Sequence, residues 1–401
     1  MLWGGFMKKR LTLLLLGMIG ICIMGCGGTN VEKPVIDIEE IYDVEESYPA
    51  QPYWQSDDIK KVGNGYYFFE SNNLYYWSAE TKSGTIVCSA SNCSHDSEKC
   101  NAYFHSFGDQ GQYYFSTLDL EFFNNRFYKI GLELGEVIDY YIYSISMDGS
   151  ERERLGYLYS KEYEPGGGFM YIYNWIMVDG YYYGQYSSEE EPLGLYKIRV
   201  DGEKTLLYDI SDKTSAGIYR VQGIGPYIYF TVDGYEDEKM QSVISQFIRY
   251  NTETEEIEIL MEDCTICAYC FLDENRIFYS DIVGKCYLMN LATGEEVCIL
   301  GEDSATGVLS SDGKYLYIRE GYYLYVYDEN GVSIDTIYVG ESDVLYGDEN
   351  YLFLTSPVEP GQHYEKVNGQ TTSWYLWILD KSQIGIEDKQ WMMMDLERET
   401  Y

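Results

Sequence analysis

Proline, histidine and basic residues are scarce in this 401-residue chain, which has 8 prolines, 3 histidines, and 28 lysines and arginines against 66 aspartates and glutamates. The formal charge of −38 repels polyanions, so the composition argues against nucleic acid and anionic lipid headgroups as ligands. Only His95, His105 and His363 could act as an imidazole base, and no GxSxG motif is present, so a Ser-His-Asp hydrolase fits poorly. A DxDxDG calcium loop, a P-loop and a Rossmann fingerprint are also missing.

The N-terminal segment MKKRLTLLLLGMIGICIMGC, residues 7–26, predicts export. Three basic residues precede an uncharged apolar run at 11–24, which is too short for a comfortable membrane span and has the length of a signal-peptide core. The IMGC that ends the segment resembles the lipobox of bacterial lipoprotein precursors, in which the cysteine is lipidated and the chain is cut before it. We therefore expect a signal peptide at 1–25, lipidation of Cys26, and an acidic, flexible tether at 26–52. An uncleaved N-terminal anchor is the alternative.

Tyrosine, by contrast, is abundant, with 45 residues, and it recurs in a repeated unit. After residue 30 no window has a sustained helical period. Each unit has a turn, an aromatic strand, a second strand rich in Tyr, a polar turn and a last strand, as in DGKYLYIREGYYLYVYDENGVSIDTIYV at 312–339. A further short strand precedes most units, which begin near residues 64, 124, 179, 225, 274, 312 and 349.

This repeat predicts an all-β protein, a β-propeller of about seven four-stranded blades, with six or eight blades as alternatives. We assign the propeller to residues 53–401, with an insert that contains cysteine and histidine at 88–112. Closure into a ring buries both faces of each blade and removes exposed strand edges. Two packed β-sandwiches are the structural alternative, although sandwich strands need not share one repeated pattern.

The lipobox, the strands that begin with paired aromatic residues and the Y-x-I/V-x-x-D-G hairpins resemble a group of uncharacterised lipoproteins of Gram-positive gut bacteria. The propellers of that group are similar to the YWTD type of the low-density-lipoprotein receptor. The resemblance covers about residues 50–395, although no literal YWTD occurs in this chain. It implies a surface lipoprotein with a propeller and with no established activity.

Four potential metal ligands, Cys88, Cys93, His95 and Cys100, lie in CSASNCSHDSEKCNAYF, the long connection between the first and second units. Three thiolates and one imidazole can satisfy a tetrahedral Zn²⁺ site, although the spacing differs from that of a CxxC zinc knuckle. Similar C-x4-C-x-H-x4-C-x-A stretches recur in the lipoproteins that the chain resembles. The alternative, which an exported protein favours, is a disulfide that pins the loop and leaves one thiol over.

Further cysteines at 264, 267 and 270 form a CxxCxxC sequence, but on a strand the middle residue faces away from the other two. We interpret Cys264, Cys267 and Cys270 as small buried apolar residues rather than as metal ligands. Cys286 and Cys298 lie on adjacent strands of the same unit, in a register that the sequence does not determine.

Acidic side chains are numerous but are expected to be solvated. The runs at 189–191 and 253–258 are typical of turns or edge hairpins. The Asp-Gly pairs at 148–149, 201–202 and 312–313 are typical of tight turns.

The predicted anchor, tether and repeat together favour a lipid-anchored binding module outside the cytoplasmic membrane, with a glycan, peptide or protein as ligand. A cell-surface glycoside hydrolase or lyase that uses carboxylates at the mouth of the propeller is the alternative. An assembly factor of an envelope complex is a third hypothesis. Because no motif in the sequence indicates an active site, the sequence favours a binding function over catalysis.

Overall fold

In the computed structural model the described residues form seven sheets, each of four antiparallel strands that are consecutive in the chain. The described residues are 59–70, 73–97, 99–104, 120–134, 137–162, 175–188, 190–236, 243–262, 264, 266–301, 308–340, 343–362 and 375–394. All of them fall within one unit, Asp37–Tyr401. The predicted signal peptide, Cys26 and the tether lie outside them. No helix in the described part of the chain is long and apolar enough to cross a membrane.

The sheets are numbered as blades 1 to 7 in chain order. Blades 1 to 4 contain β1 (Ile59–Val62), β2 (Gly65–Glu70), β3 (Asn73–Ser78), β4 (Ser83–Ile86); β5 (Glu121–Phe123), β6 (Arg126–Leu134), β7 (Val137–Ser146), β8 (Arg152–Glu162); β9 (Ile176–Val178), β10 (Tyr181–Tyr186), β11 (Gly194–Arg199), β12 (Lys204–Asp209); and β13 (Thr214–Ile224), β14 (Tyr227–Tyr235), β15 (Val243–Asn251), β16 (Ile257–Glu262).

Blades 5 to 7 contain β17 (Ala268–Asp273), β18 (Arg276–Ser280), β19 (Cys286–Asn290), β20 (Glu296–Leu300); β21 (Val308–Ser311), β22 (Leu316–Glu320), β23 (Tyr323–Tyr327), β24 (Ser333–Tyr338); and β25 (Asp343–Gly347), β26 (Tyr351–Ser356), β27 (Tyr375–Asp380), β28 (Trp391–Met394). A short 3₁₀ helix, Lys381–Gln383, follows β27.

The blades form a seven-bladed propeller, which confirms the predicted fold class and number of blades. First strands of neighbouring blades lie side by side, β5 beside β9, β9 beside β13 and β17 beside β21, as expected of strands that surround a central axis. The predicted unit starts coincide with the turns before the second strand of each blade. The alternative of two packed β-sandwiches is wrong, because the described strands pair in seven separate sheets.

Burial across a blade explains why the sequence is rich in tyrosine. Middle strands are covered on both faces by the neighbouring blades, so that Tyr182 and Tyr183, adjacent on β10, are both buried. Fourth strands lie at the rim, and Ile257 and Ile259 on β16 are exposed. A tyrosine ring fills the apolar space between blades while its hydroxyl can reach water or a polar partner.

Blade 7 closes the ring against blade 1 by side-chain packing, because each blade is built from its own four consecutive strands. Aromatic and aliphatic residues of blades 1, 6 and 7 share one buried cluster. The Tyr66 ring lies 4.7 Å from that of Phe353, and its hydroxyl donates to Asp348 Oδ2 at 2.6 Å. This contact between blades 7 and 1 is called the seam below.

Buried charges lie beside the seam. The ammonium group of Lys381 contacts the Asp312 carboxylate and donates to the Asp348 carbonyl oxygen, and the Lys381 and Asp312 side chains are 3% and 0% exposed. Asp312 also accepts a hydrogen bond from the Tyr317 hydroxyl. Lys61 pairs with the Asp348 carboxylate at 3.0 Å. These contacts connect β1 of blade 1 with the turns of blades 6 and 7 and with the 3₁₀ helix.

The turn between the third and fourth strands packs against the preceding blade in a repeated way. In three blades a glycine with positive φ sits against a backbone carbonyl oxygen: Gly149 (φ 66°) on Val87, Gly202 (φ 93°) on Tyr157 and Gly331 (φ 76°) on Ile299. A Cβ atom at these positions would lie 2.1, 2.4 and 2.6 Å from that oxygen. Glycine is therefore required at each of these positions for two reasons, the positive φ and the close approach of the neighbouring carbonyl oxygen.

Candidate metal centre

The structure brings Cys88, Cys93, His95 and Cys100 together in the connection between β4 and β5. One ligand atom from each residue, three sulfurs and a ring nitrogen, lies within 4.8 Å of all the others. His95 Nδ1 is 3.3 Å from Cys100 Sγ. In a tetrahedral zinc site with Zn–S near 2.3 Å and Zn–N near 2.0–2.1 Å, ligand atoms are about 3.5–3.8 Å apart. The four donors are therefore close to the spacing that such a site requires.

Local turns shape this connection, which is called the Cys/His loop below and comprises residues 88–104 with the exception of 98. Asn92 and His95 adopt left-handed φ values of 61° and 56°. The Cys100 N–H donates to Ser97 O at 2.9 Å, and the Tyr103 N–H donates to Cys100 O at 3.1 Å. These turns direct the chain back toward Cys88. The part of the predicted insert from 105 to 112 lies outside the described residues.

The Cys/His loop contacts both blade 1 and blade 2. On blade 1, the Leu74 N–H of β3 donates to Ala102 O at 2.9 Å. On blade 2, the Asn101 amide donates to Gly149 O at 3.1 Å and to Ser150 O at 2.8 Å, both in the turn between β7 and β8. The loop therefore spans the joint between the two blades.

The four side chains of the cluster differ in burial, which affects the pKa of the most buried thiol. Cys100 is buried, while Cys88, Cys93 and His95 are half-buried. Burial, together with hydrogen bonding to the Cys88 and Cys93 sulfurs, raises the pKa of the Cys100 thiol to about 12.

The types of donor atom indicate which metals the cluster could bind. Soft sulfur and imidazole donors suit Zn²⁺ and similar transition metals and do not suit Ca²⁺ or Mg²⁺, which require oxygen ligands.

No disulfide bond joins any two of the described cysteines. Three of them, Cys88, Cys93 and Cys100, lie in the Cys/His loop, and one disulfide there would use two and leave the third beside His95. A zinc site and a disulfide each require cysteines of the loop to lie close together, so their proximity agrees with both alternatives. The two alternatives differ in whether all four side chains act together.

The other cysteines follow the predicted strand geometry only in part. Cys264 and Cys270 are buried, as expected, but Cys267 is exposed, and the prediction that it is a buried apolar residue is wrong. Its position before β17, at the end of a connection, leaves it uncovered. On blade 5, Cys286 pairs with Leu300 in register while Cys298 pairs with Tyr287, so the two cysteines do not face each other.

The predicted turns and acidic runs lie where the sequence places them. Gly149, Gly202 and Gly313 follow aspartates in turns and have positive φ. The acidic residues of the 253–258 run are exposed, as is Glu190, whereas Glu191 is half-buried. Residue 189, His105 and His363 lie outside the described residues.

Two buried ion pairs were not predicted from the sequence. Lys60 on β1 and Glu121 on β5 pair at 3.2 Å between blades 1 and 2, with side chains only 10% and 7% exposed. Lys381 and Asp312 form the other pair. No local motif marks Lys60, Glu121 or Lys381, and Asp312 carries only the signal of an Asp-Gly turn.

Seven consecutive four-stranded blades define the protein as a seven-bladed β-propeller. No known protein family matches the chain, and no curated protein matches it either. Solved structures that are similar to it include an oligogalacturonate lyase in complex with manganese, with 8% identity over 64% of this chain and 70% of that one, and a TM-score of 0.44. A second is the β-propeller domain of the Trilobed protease from Pyrococcus furiosus, with 14% identity over 68% of this chain and 81% of that one, and a TM-score of 0.41. A third is regucalcin, a calcium-binding protein from Agrobacterium tumefaciens, with 12% identity over 56% of this chain and 81% of that one, and a TM-score of 0.35. Similarity at this level says nothing about ligand or activity.

Proposed function

We propose that the protein is a lipid-anchored binding module on the outer face of the cytoplasmic membrane and that its ligand is a glycan. The observation that supports a binding function is a cluster of tyrosines on blade 6. The anchor is inferred from the N-terminal sequence, where an apolar run precedes IMGC and an acidic tether follows Cys26. The resemblance to bacterial surface lipoproteins supports the same location.

The tyrosine platform consists of Tyr322, Tyr323, Tyr325 and Tyr338. Tyr322 and Tyr323 are 53% and 42% exposed. Their centroids lie 6.3 and 5.4 Å from that of Tyr338, and Tyr323 is 6.2 Å from Tyr325. Tyr322, Tyr323 and Tyr338 thus neighbour one another on blade 6, while Tyr325 supports them from a half-buried position against the core of blades 5 and 6.

The backbone holds this platform in place. The Tyr322 carbonyl oxygen accepts hydrogen bonds from Val339 N at 2.9 Å and from Gly340 N at 3.2 Å, so the turn between β22 and β23 is tied to the end of β24. Tyrosine has few rotatable bonds, and a fixed backbone lowers the entropy that is lost when a ligand binds.

The chemistry of the platform fits a neutral or basic glycan. Aromatic faces make extensive dispersion contacts with flat, C–H-rich sugar faces, and tyrosine hydroxyls add hydrogen bonds at the edge. The formal charge of −38 disfavours polyanionic sugars. Peptide and protein ligands remain the competing outcomes of the test.

The binding proposal is tested with the full chain, purified in detergent, on an array of neutral, basic and acidic glycans. We expect a neutral or basic glycan to bind, and Tyr322→Ala/Tyr323→Ala to weaken binding roughly tenfold or more, as loss of two anchoring rings should. Tyr219→Ala, which removes a ring that is 43% exposed on β13, is the matched control and should bind normally. Equal binding by both variants would contradict the role of the platform, and cleavage of a bound glycan would support the hydrolase or lyase alternative.

The anchor is tested separately. Cells that produce the full precursor should yield an N-terminal peptide that begins with a diacylglyceryl Cys26, as measured by mass spectrometry. Cys26→Ser should abolish both the modification and the cut before residue 26, so that the protein keeps residues 1–25, whereas Cys22→Ser should leave both unchanged. An unmodified, membrane-bound wild-type protein would support the uncleaved anchor instead.

A further inference from the structure

We infer that Cys88, Cys93, His95 and Cys100 together bind one Zn²⁺ ion, which fastens the Cys/His loop to the joint between blades 1 and 2. This site is independent of the proposed ligand and of the lipid anchor. It rests on the geometry of the four donors, on the chemistry of the set, and on the contacts that hold the loop in position.

The geometry favours one ion over a set of independent side chains. Four donor atoms from a stretch of 13 residues lie within 4.8 Å of one another. That span exceeds the edge of a tetrahedral zinc site, roughly 3.5–3.8 Å, by about an ångström, so small rotations of the side chains are sufficient to complete the coordination. A disulfide between two of the cysteines leaves a thiol and an imidazole beside it without a common function.

The donor set identifies the metal and its role. Three sulfurs and one imidazole form a Cys₃His set, which is typical of structural zinc sites with four protein ligands and no open position. Cys100 is only 1% exposed, so one ligand is anchored in the core while the others approach from the surface. We therefore assign a structural role to the ion and no catalytic one.

The surroundings of Cys100 resemble the outer shell of a metal site. The Cys100 N–H donates to Ser97 O at 2.9 Å, and the carbonyl oxygen of Ala102, two residues further on, accepts from Leu74 N at 2.9 Å. Ala102 itself is fully buried. Backbone hydrogen bonds beside a ligand fix its position, as the contacts around the ligands of metal sites do.

Fastening the loop has a consequence for the neighbouring blade. Asn101, directly after the ligand Cys100, donates to two carbonyl oxygens in the turn between β7 and β8 of blade 2. The same turn places Gly149 against the Val87–Cys88 backbone, which carries another of the four ligands. An ion at the four ligands therefore ties together two segments that both contact blade 2.

Metal content of the full chain, purified in detergent without added chelator, is the first measurement. Elemental analysis should give one Zn²⁺ per chain, and replacement by Co²⁺ should give the intense absorption of tetrahedral cobalt with thiolate ligands. Cys93→Ser should lose the metal, while Cys267→Ser, an exposed cysteine outside the cluster, should retain it. A metal-free protein with two loop cysteines protected in a disulfide would overturn the inference, as would the same zinc content in Cys93→Ser and the wild type.

His95 provides the control for folding. His95→Cys keeps four donors and should retain one Zn²⁺ with a shifted cobalt spectrum, whereas His95→Ala should bind the metal more weakly. Limited proteolysis of the wild type after chelation should cut within residues 89–99, and added Zn²⁺ should restore protection. Unchanged proteolysis after complete removal of the metal would contradict the structural role of the ion.

Discussion

At the scale of single residues, the sequence predicts which side chains meet when those side chains lie close together in the chain. Cys88, Cys93, His95 and Cys100 stand near one another in the sequence, and a short connection brings them together in space. Lys381 and Asp312, in contrast, are 69 residues apart and meet only because blades 6 and 7 are adjacent in the ring. No local pattern encodes such a pair, so sequence reasoning could not find it.

Lys381→Ala is expected to destabilise the protein by about 3–5 kcal/mol, because it leaves the buried Asp312 carboxylate without its cation. The measurement is the free energy of unfolding in urea. Arg199→Ala is the control, since Arg199 and Asp201 form an exposed pair with side chains 53% and 47% accessible. Its effect should be much smaller than that of Lys381→Ala, because an exposed ion pair contributes little to stability. Equal effects of the two variants would show that burial of the Lys381 pair does not matter to stability.

At the scale of strands and turns, the repeat pattern predicts the type and order of the elements but does not give the length of each strand. The strand β6 runs from Arg126 to Leu134 and so includes the first glycine of GLELGEV. Gly131 lies inside it, and the Tyr143 ring of β7 covers the place where a side chain would be, at 2.8 Å from an ideal Cβ. An aromatic residue on the neighbouring strand can therefore retain a glycine within a sheet, which the pattern of one strand cannot reveal.

Turn glycines offer a test of the contact between blades. Gly149→Ala should cost more stability than Gly225→Ala, although both glycines have positive φ, of 66° and 54°. An added Cβ at Gly149 would lie 2.1 Å from Val87 O, whereas nothing lies within 4 Å of one at Gly225. Both variants carry the conformational cost of about 1 kcal/mol, and only Gly149→Ala must also move the backbone of blade 1.

Thermal unfolding of the two glycine variants, side by side, measures this difference. A lower Tm for Gly149→Ala than for Gly225→Ala is the expected result. If the two melting temperatures fall equally, the close approach of the turn to Val87 contributes nothing to the joint between blades 1 and 2.

At the scale of the whole molecule, the tyrosine-rich packing predicts sensitivity to alkaline pH. Burial raises the pKa of Tyr67, Tyr159 and Tyr183 well above the ordinary value of 10.0. The folded state therefore keeps these protons while the unfolded chain releases them. The stability that they contribute is fully present below pH 10 and is lost as the pH rises above it.

An alkaline titration followed by tyrosinate absorbance and by circular dichroism tests this expectation. The buried tyrosines should ionise only as the β-structure is lost, so the two signals should share a transition above the pKa of free tyrosine. Ionisation of every tyrosine with no change in circular dichroism would mean that the interior of the blades is open to water.

The seam has a mechanical consequence. Neighbouring blades elsewhere in the ring are consecutive in the chain, whereas among the described residues blades 7 and 1 are held together by side-chain packing and by the ion pair of half-buried Lys61 with buried Asp348. Tension on the segment before Ile59 enters the ring at β1, which pairs with β2 at the edge of its sheet. A pulling force would therefore load the seam first, and blade 1 should peel away from blade 7 before any other joint of the ring yields.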